Sequence, residues 1–279
     1  MDYLFKAADG SLVTQESLRE ALIKAGADKA DILYVHSDMT FGVPNAALGR
    51  KGIIAGLFEG IESLGVGTIV FPTFTFSFPN GKDYDVNRSK TKMGALNEYA
   101  RRIPEAVRSL DPLMSVAVIG DKKYLATGIG HASIGRDSTF DMIAREENVK
   151  FLFLGVHPGL CFTYTHYVEW ASKTPYRYDR PFTGRIKDAG GNTYEATYDL
   201  FVRYQGVTPH GNDLPERMEK AGAMKTEAVG DDFIYVIDKD PAQEILTERL
   251  AAEPEYMVTI EKPFRKDDTF TLDKEMVAL

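Results

Sequence analysis

Residues 31–77 read DILYVHSDMTFGVPNAALGRKGIIAGLFEGIESLGVGTIVFPTFTFS. Residues 31–37 (DILYVHS) form a short apolar run of branched and aromatic residues, which predicts a strand. KGIIAGLFEGIESL (51–64) spaces its apolar residues for a helix, and Gly65 ends it. GTIVFPTFTFS (67–77) is β-rich again, interrupted by Pro72. Strand, helix and strand in that order predict a right-handed βαβ unit with parallel strands.

Working outward, TQESLREALIKAG (14–26) predicts an amphipathic helix capped by Thr14 and stopped by Gly26. Helix signals recur at 93–103 and at 139–147, where Ser138-x-x-Asp141 forms a capping box. KFLFLGV (150–156) predicts the most buried strand, followed by the loop HPGLCF and the helical stretch TYTHYVEWASK (163–173). Beyond Pro175 the pattern changes. Residues 183–200 predict a hairpin turning at Gly190-Gly191, and 227–239 another turning at Gly230-Asp231. Helices are expected at 214–223 and 242–254, the second with Pro241 at its first helical position. The fold class is therefore α/β: a mixed, largely parallel sheet flanked by helices in the N-terminal part, with antiparallel α+β hairpins in the C-terminal part. We expect a single domain over 1–279 with approximate lobes 1–175 and 176–279.

The net charge of −8 argues against a nucleic-acid partner and is compatible with a cationic substrate. The single cysteine, Cys161, fits a reducing compartment. The N-terminus lacks the pattern of a signal peptide, and no apolar run approaches the roughly 20 residues of a membrane helix. The cytoplasm is the expected location, with no membrane partner. A homodimer is only the base-rate expectation. The five histidines show no metal-ligand spacing, so no metal is expected.

Four constellations carry chemical potential. Thr163-x-x-His166-x-x-Glu169 would share one helix face just beyond a strand's carboxyl end, where open α/β sheets bind ligands. The same spacing also serves an ordinary ion pair. The loop at Ser37, Asp38 and Met39 could cradle a phosphate with its amides and the Ser37 hydroxyl, or be a plain strand exit. Pro72–Phe76 alternates hydroxyls with aromatics, as a half-buried strand does. Arg101, Arg102 and Arg108 could grip phosphates, or pair with Glu98 and Glu105 on a solvated helix.

VHSDMTFG, GTIVFPTFTFS, MGALNEYARRIPEAVRSLDPLMSVAVIG and FLFLGVHPGLCFTYTHYVEW occur in this order at sensible spacing. The ordered set resembles the aminoglycoside 3-N-acetyltransferase family, strongly over most of 15–180 and weakly to about 255. The resemblance implies acetyl-CoA or another acyl-CoA as donor, a ternary complex, and direct attack by an amine on the thioester. It implies His166 as general base, supported by Glu169 and Thr163. Ser37, Asp38, Met39, Thr73, Arg108, Ser109, Ser115 and Val116 would hold the coenzyme. Thr75, Asp83, Asp85 and Glu98 would line the acceptor cleft. The acceptor would be a small-molecule amine: an aminoglycoside, or a nucleotide-linked or polysaccharide-precursor amino sugar. The N-terminal lobe would carry the coenzyme and catalytic motifs, and the C-terminal lobe the acceptor side. Two departures stand out: Asp38 where the family usually has a second serine, and Asp111 where it often has histidine.

Two other functions stay open on the residues alone. One is a thioesterase or hydrolase with Cys161 or Ser37 as nucleophile, although no G-x-S-x-G elbow occurs. The other is a non-catalytic acyl-CoA binder that kept the scaffold.

Overall fold

The computed structural model describes residues 3–39 and 41–261. Its centre is a seven-stranded sheet in the order Met224–Val229, Asp232–Asp238, Val149–Leu154, Ile32–Ser37, Thr68–Pro72, Val116–Gly120, Val107–Arg108. Ile32–Ser37 pairs in parallel with Thr68–Pro72 on one side and Val149–Leu154 on the other. The outer pairings are antiparallel.

The central strand is buried on both faces because successive side chains point to opposite sides. Leu33 and Val35 enter a core shared with Leu18 and Leu22 of helix Gln15–Lys24 and with Ile53, Leu57 and Ile61 of helix Gly49–Glu62. Ile32 and Tyr34 enter the other core, shared with residues of helices Thr139–Ala144, Thr165–Ala171 and Lys239–Ala252. Helices thus cover both faces, and the expected βαβ unit lies at the middle.

Local signals hold where they rest on capping chemistry. Thr14 caps the first helix by accepting from the Ser17 amide at 3.1 Å, and Gly26 takes φ 86° just past its end. Ser138 likewise accepts from the Asp141 amide, but the Asp141 carboxylate accepts from the Asp137 amide, so the expected capping box is only half formed. Both hairpins form, Arg177–Lys187 with Thr193–Arg203 and Met224–Val229 with Asp232–Asp238.

Three expectations are corrected. The strand expected over 67–77 stops at Pro72. Beyond it the chain hydrogen-bonds irregularly to 112–115, with Phe76 at φ 47°, so Thr73 to Phe76 do not alternate between two sheet faces. The last helix begins at Lys239, which puts Pro241 third rather than first; the first turn tolerates proline there because its N–H would have no intrahelical partner. The helix expected over 163–173 spans only Thr165–Ala171, leaving Thr163 outside it.

Strand Asp232–Asp238 pairs with Val149–Leu154, so the C-terminal residues complete the sheet begun by the N-terminal ones.

Asp111 is a buried carboxyl at 4% exposure. Its Oδ1 accepts from the Leu113 and Met114 amides and the Ser133 hydroxyl, and no cation pairs with it among the described residues. Burial pushes its pKa up to about 6, against the opposing pull of those donors. A raised carboxyl pKa stabilises the fold fully below the unfolded value near ~3.9, and this contribution is lost as pH rises through about 6. Asp111→Asn keeps the oxygen acceptor and removes the titration. Its stability should therefore gain on the parent's by roughly 1–3 kcal/mol between pH 4 and pH 7.5, read by urea unfolding. A flat difference across that range would show that the carboxyl does not titrate there.

Candidate active site

The parallel strands Ile32–Ser37, Thr68–Pro72 and Val149–Leu154 end at one edge of the sheet. The Asp38 amide donates to the Leu154 carbonyl at 2.7 Å. Asn97 ties two of the ends together, accepting from the Ser37 hydroxyl at 3.1 Å and donating to the Pro72 carbonyl at 2.6 Å. From Ser37 the chain leaves towards helix Gly49–Glu62 on one face; from Leu154 it leaves towards helix Thr165–Ala171 on the other. This reversal of connections is the arrangement at which open α/β sheets bind ligands.

His166 and Glu169 stand one helical turn apart beside it. His166 Nδ1 lies 2.7 Å from Glu169 Oε2. The Glu169 side chain is only 1% exposed, whereas the His166 side chain keeps 34% of its surface open. Two residues beyond the helix complete the arrangement. The Tyr176 hydroxyl donates to Glu169 Oε1 at 2.8 Å, and Arg177 Nε lies 3.0 Å from Oε2 without its N–H aimed at that oxygen. Burial alone would raise the Glu169 pKa, but the charge of Arg177 and the bonds from His166 and Tyr176 outweigh it and hold it at about 2. Burial and then Arg177 lower the His166 pKa below its ordinary value, with Glu169 opposing them and Arg203 adding to them. A 2.7 Å contact to an ionised carboxylate requires a proton on Nδ1. Nε2 is then bare, and it has no hydrogen-bond partner among the described residues. Thr163 does not join this face: its hydroxyl donates to the Cys161 carbonyl at 3.2 Å, while its own carbonyl accepts from the His166 amide at 3.0 Å.

The residues expected to hold the coenzyme are engaged with the fold. Asp38 is exposed, and its carboxylate accepts from the Met39 amide at 2.7 Å, so neither the Asp38 nor the Met39 amide is presented outward. Met39 packs against the core and lines a cavity of about 310 Å³ with Phe5, Pro44, Arg50 and Ile53. Thr73 and Ser115 are wholly buried and bond to each other. The Ser109 hydroxyl accepts from the Val116 amide at 3.0 Å, with both residues buried. Arg108 donates to the carbonyls of Thr73, Val86 and Ser89 and lies over the Tyr84 ring, making it a strut rather than a free phosphate clamp.

The expected acceptor residues are also occupied. Thr75 donates to the Pro112 carbonyl in the interior. Glu98 pairs with Arg101 and Arg102 and accepts from the Thr91 amide. Asp83 pairs with Arg185 and Asp85 with Lys187, at the far end of the long hairpin. Ten residues separate Lys187 from Arg177 on that strand, roughly 30 Å.

The long hairpin supplies what the sequence reading missed. Its register places Arg177, Asp179 and Pro181 opposite Arg203, Phe201 and Asp199, so Asp179 and Asp199 share Arg177's face. Neither carboxylate forms an ion pair among the described residues. Burial, then the charge of Asp199, raises the Asp179 pKa. The alternation in RYDRP was the available signal, but nothing in it indicated that this face adjoins His166.

Cys161 is an unsuitable nucleophile, because burial and then the Asp38 charge push its thiol up to about 12. His36 is a neutral core group stacked on Phe153 at 4.8 Å, its pKa lowered by burial to about 3. Among the described residues no group of three or more His, Cys, Asp or Glu could hold a metal ion, and no helix is long and apolar enough to cross a membrane.

The family profile described as aminoglycoside 3-N-acetyltransferase matches residues 34–251. Aminoglycoside N(3)-acetyltransferase III from Salmonella sp is 26% identical over 264 residues, covering 84% of this chain and 89% of the relative. Among solved structures, aminoglycoside acetyltransferase AAC(3)-Xa superposes with a TM-score of 0.71 at 20% identity, covering 88% of this chain and 94% of that one. The AAC-IIIb binary complex with CoASH gives 0.70 at 17% identity, covering 86% and 97%. These structures share the α/β fold described above. With a profile match spanning most of its length, this chain belongs to the aminoglycoside 3-N-acetyltransferase family, a family of transferases.

Proposed function

We propose that the protein transfers the acetyl group of acetyl-CoA to an amine of a polycationic amino sugar, an aminoglycoside, with His166 as general base. The observation that carries this reading is the buried Glu169 carboxylate, which accepts a hydrogen bond from Nδ1–H of a half-open imidazole and leaves Nε2 as the proton acceptor.

The chemistry needs such a group. A free alkylammonium has a pKa near ~10.4, so holding it neutral at pH 7 costs roughly 4–5 kcal/mol. Nε2 takes one proton from the ammonium, and the freed lone pair attacks the thioester carbon as the C–N bond forms and the nitrogen's surplus proton leaves to solvent. The imidazolium gives its proton to sulfur as the C–S bond breaks. The thioester is already activated, so no covalent enzyme intermediate is required. Thr163 acts through its carbonyl, which fixes the start of the His166 turn. The donor follows from the family, and the ends of the parallel strands are its natural seat.

The acceptor's other ammonium groups would meet Asp179 and Asp199. Asp179 is two residues from Arg177 on the same face, roughly 7 Å along the strand. Two unpaired carboxylates there favour a polycation over a nucleotide-linked sugar, whose phosphates they would repel.

The test is thiol release from acetyl-CoA across a panel of aminoglycosides and nucleotide-linked amino sugars, with product masses. Release is expected only with the cationic acceptors. The Asp179→Asn/Asp199→Asn double variant should raise the acceptor KM about tenfold or more and leave the acetyl-CoA KM near the parent's. Turnover confined to nucleotide-linked sugars, or an unchanged KM in the double variant, would overturn the acceptor assignment.

A further inference from the structure

We propose that Arg177 is a positioning residue for acyl transfer: its guanidinium, wedged between Glu169 and His166, keeps the carboxylate ionised and the imidazole free of a second proton, so that the base stays available at acidic and neutral pH. The proposal rests on His166 being the base.

Arg177 reaches the pair from the first strand of the long hairpin. Its Nη1 donates to the Phe201 carbonyl at 3.2 Å, and its guanidinium lies over the Phe201 ring. Its Nη2 lies 3.1 Å from His166 Nδ1. Its side chain is 8% exposed, so it has no free edge for a phosphate.

One acceptor, Glu169 Oε2, and one donor, Arg177 Nη2, therefore converge on Nδ1, and only one arrangement is consistent with the charges. Glu169 Oε1 already receives the Tyr176 hydroxyl and Oε2 sits 2.7 Å from Nδ1, so the proton between them belongs to the ring. A protonated Nδ1 has no lone pair for Arg177 to bond. The 3.1 Å approach of Nη2 is then a cation held against the imidazole, and it opposes protonation at Nε2.

The charged groups around the ring are Glu169 on its own helix, Arg177 on one hairpin strand and Arg203 on the other. With Arg177 in place, its charge cancels that of Glu169, and Arg203 shares its hairpin face with Asp179 and Asp199. An incoming ammonium meets a neutral ring, which becomes cationic only on taking the substrate's proton. Without Arg177, the bare carboxylate would attract a proton onto Nε2, and the base would be spent before substrate arrives.

The test is a pH titration of the His166 imidazole by NMR in the full-length protein, the resonance being identified by its loss in His166→Gln, alongside kcat/KM against pH. Arg177→Gln should raise the imidazole midpoint by about one unit or more. The acidic limb of kcat/KM should move up by the same amount. Arg177→Lys, whose charge sits further from the ring, should move both in the same direction by less, and it supplies the comparison if Arg177→Gln does not fold. A midpoint that stays in place in the variants, with activity lowered evenly at all pH values, would overturn the proposal and leave Arg177 a packing residue. A midpoint that moves while the rate profile does not follow would also overturn it, through failure of the His166 reading itself.

Discussion

Replacing His166 with alanine is expected to lower kcat by about 10²- to 10⁴-fold while leaving acetyl-CoA affinity near the parent's. The ring is a half-open group whose bare nitrogen is set by a partner fixing its tautomer, and removing it returns the cost of the unprotonated amine to the substrate. A third of the side chain is open, so deleting it should cost the fold less than deleting a core residue. Steady-state thiol release with a cationic acceptor measures the rate, and calorimetric titration measures coenzyme affinity. Because burial and Arg177 both lower the His166 pKa, the parent's acidic limb of kcat/KM should fall below the ordinary histidine value near ~6.5. Full turnover in His166→Ala would remove the ring from the mechanism.

Glu169→Gln should have the largest combined effect on stability and rate. The carboxylate accepts from Tyr176 and His166 and neutralises an Arg177 side chain that is 8% exposed. The amide leaves that cation buried without a counter-charge, and breaking such a pair costs about 3–5 kcal/mol. In a chain of this size that is a fall of roughly 10 °C in Tm. It also offers the ring an N–H as readily as an oxygen, so the tautomer that bares Nε2 is no longer enforced, and kcat should drop about 10²-fold or more. The Glu169 pKa is depressed to about 2, so its contribution is present above the unfolded value near ~4.3 and is lost as pH falls through about 2. The stability gap between parent and variant should therefore close towards pH 2 in denaturant titrations. A gap unchanged from pH 7 to pH 2 would show that the charge is not what stabilises the site.

The sheet's centre was legible because its signals are local and redundant. The run 31–37 is apolar on both faces, as a strand covered by helices requires, and an apolar-periodic helix connects it to the next strand. Thr14 and Ser138 marked helix starts because the hydroxyl that caps a helix lies within three residues of the amide it serves. His166 and Glu169 were legible for the same reason, since a helix turn brings residues three apart together.

Thr163 failed by the same rule, because it stands just outside the helix that the spacing assumed. The hydroxyls of Thr73, Thr75, Ser109 and Ser115 were expected as ligand groups from the resemblance. They bond to main-chain or side-chain groups brought beside them where the chain returns along 107–116 to the strand ending at 72. Glu98, Asp83 and Asp85 carry the right charge, but neighbouring arginines and a lysine take it up.

The parallel βαβ centre, the caps at Thr14 and Ser138, the hairpin turns and the His166–Glu169 pair could be read from residue order, because each depends on local neighbours. Folding in three dimensions set the rest: Tyr176 and Arg177 close on Glu169, Asp179 and Asp199 share a face beside them, and the C-terminal strands complete the N-terminal sheet. Those contacts join residues on different elements, and their partners are chosen by packing and strand register, which spacing along the chain does not encode.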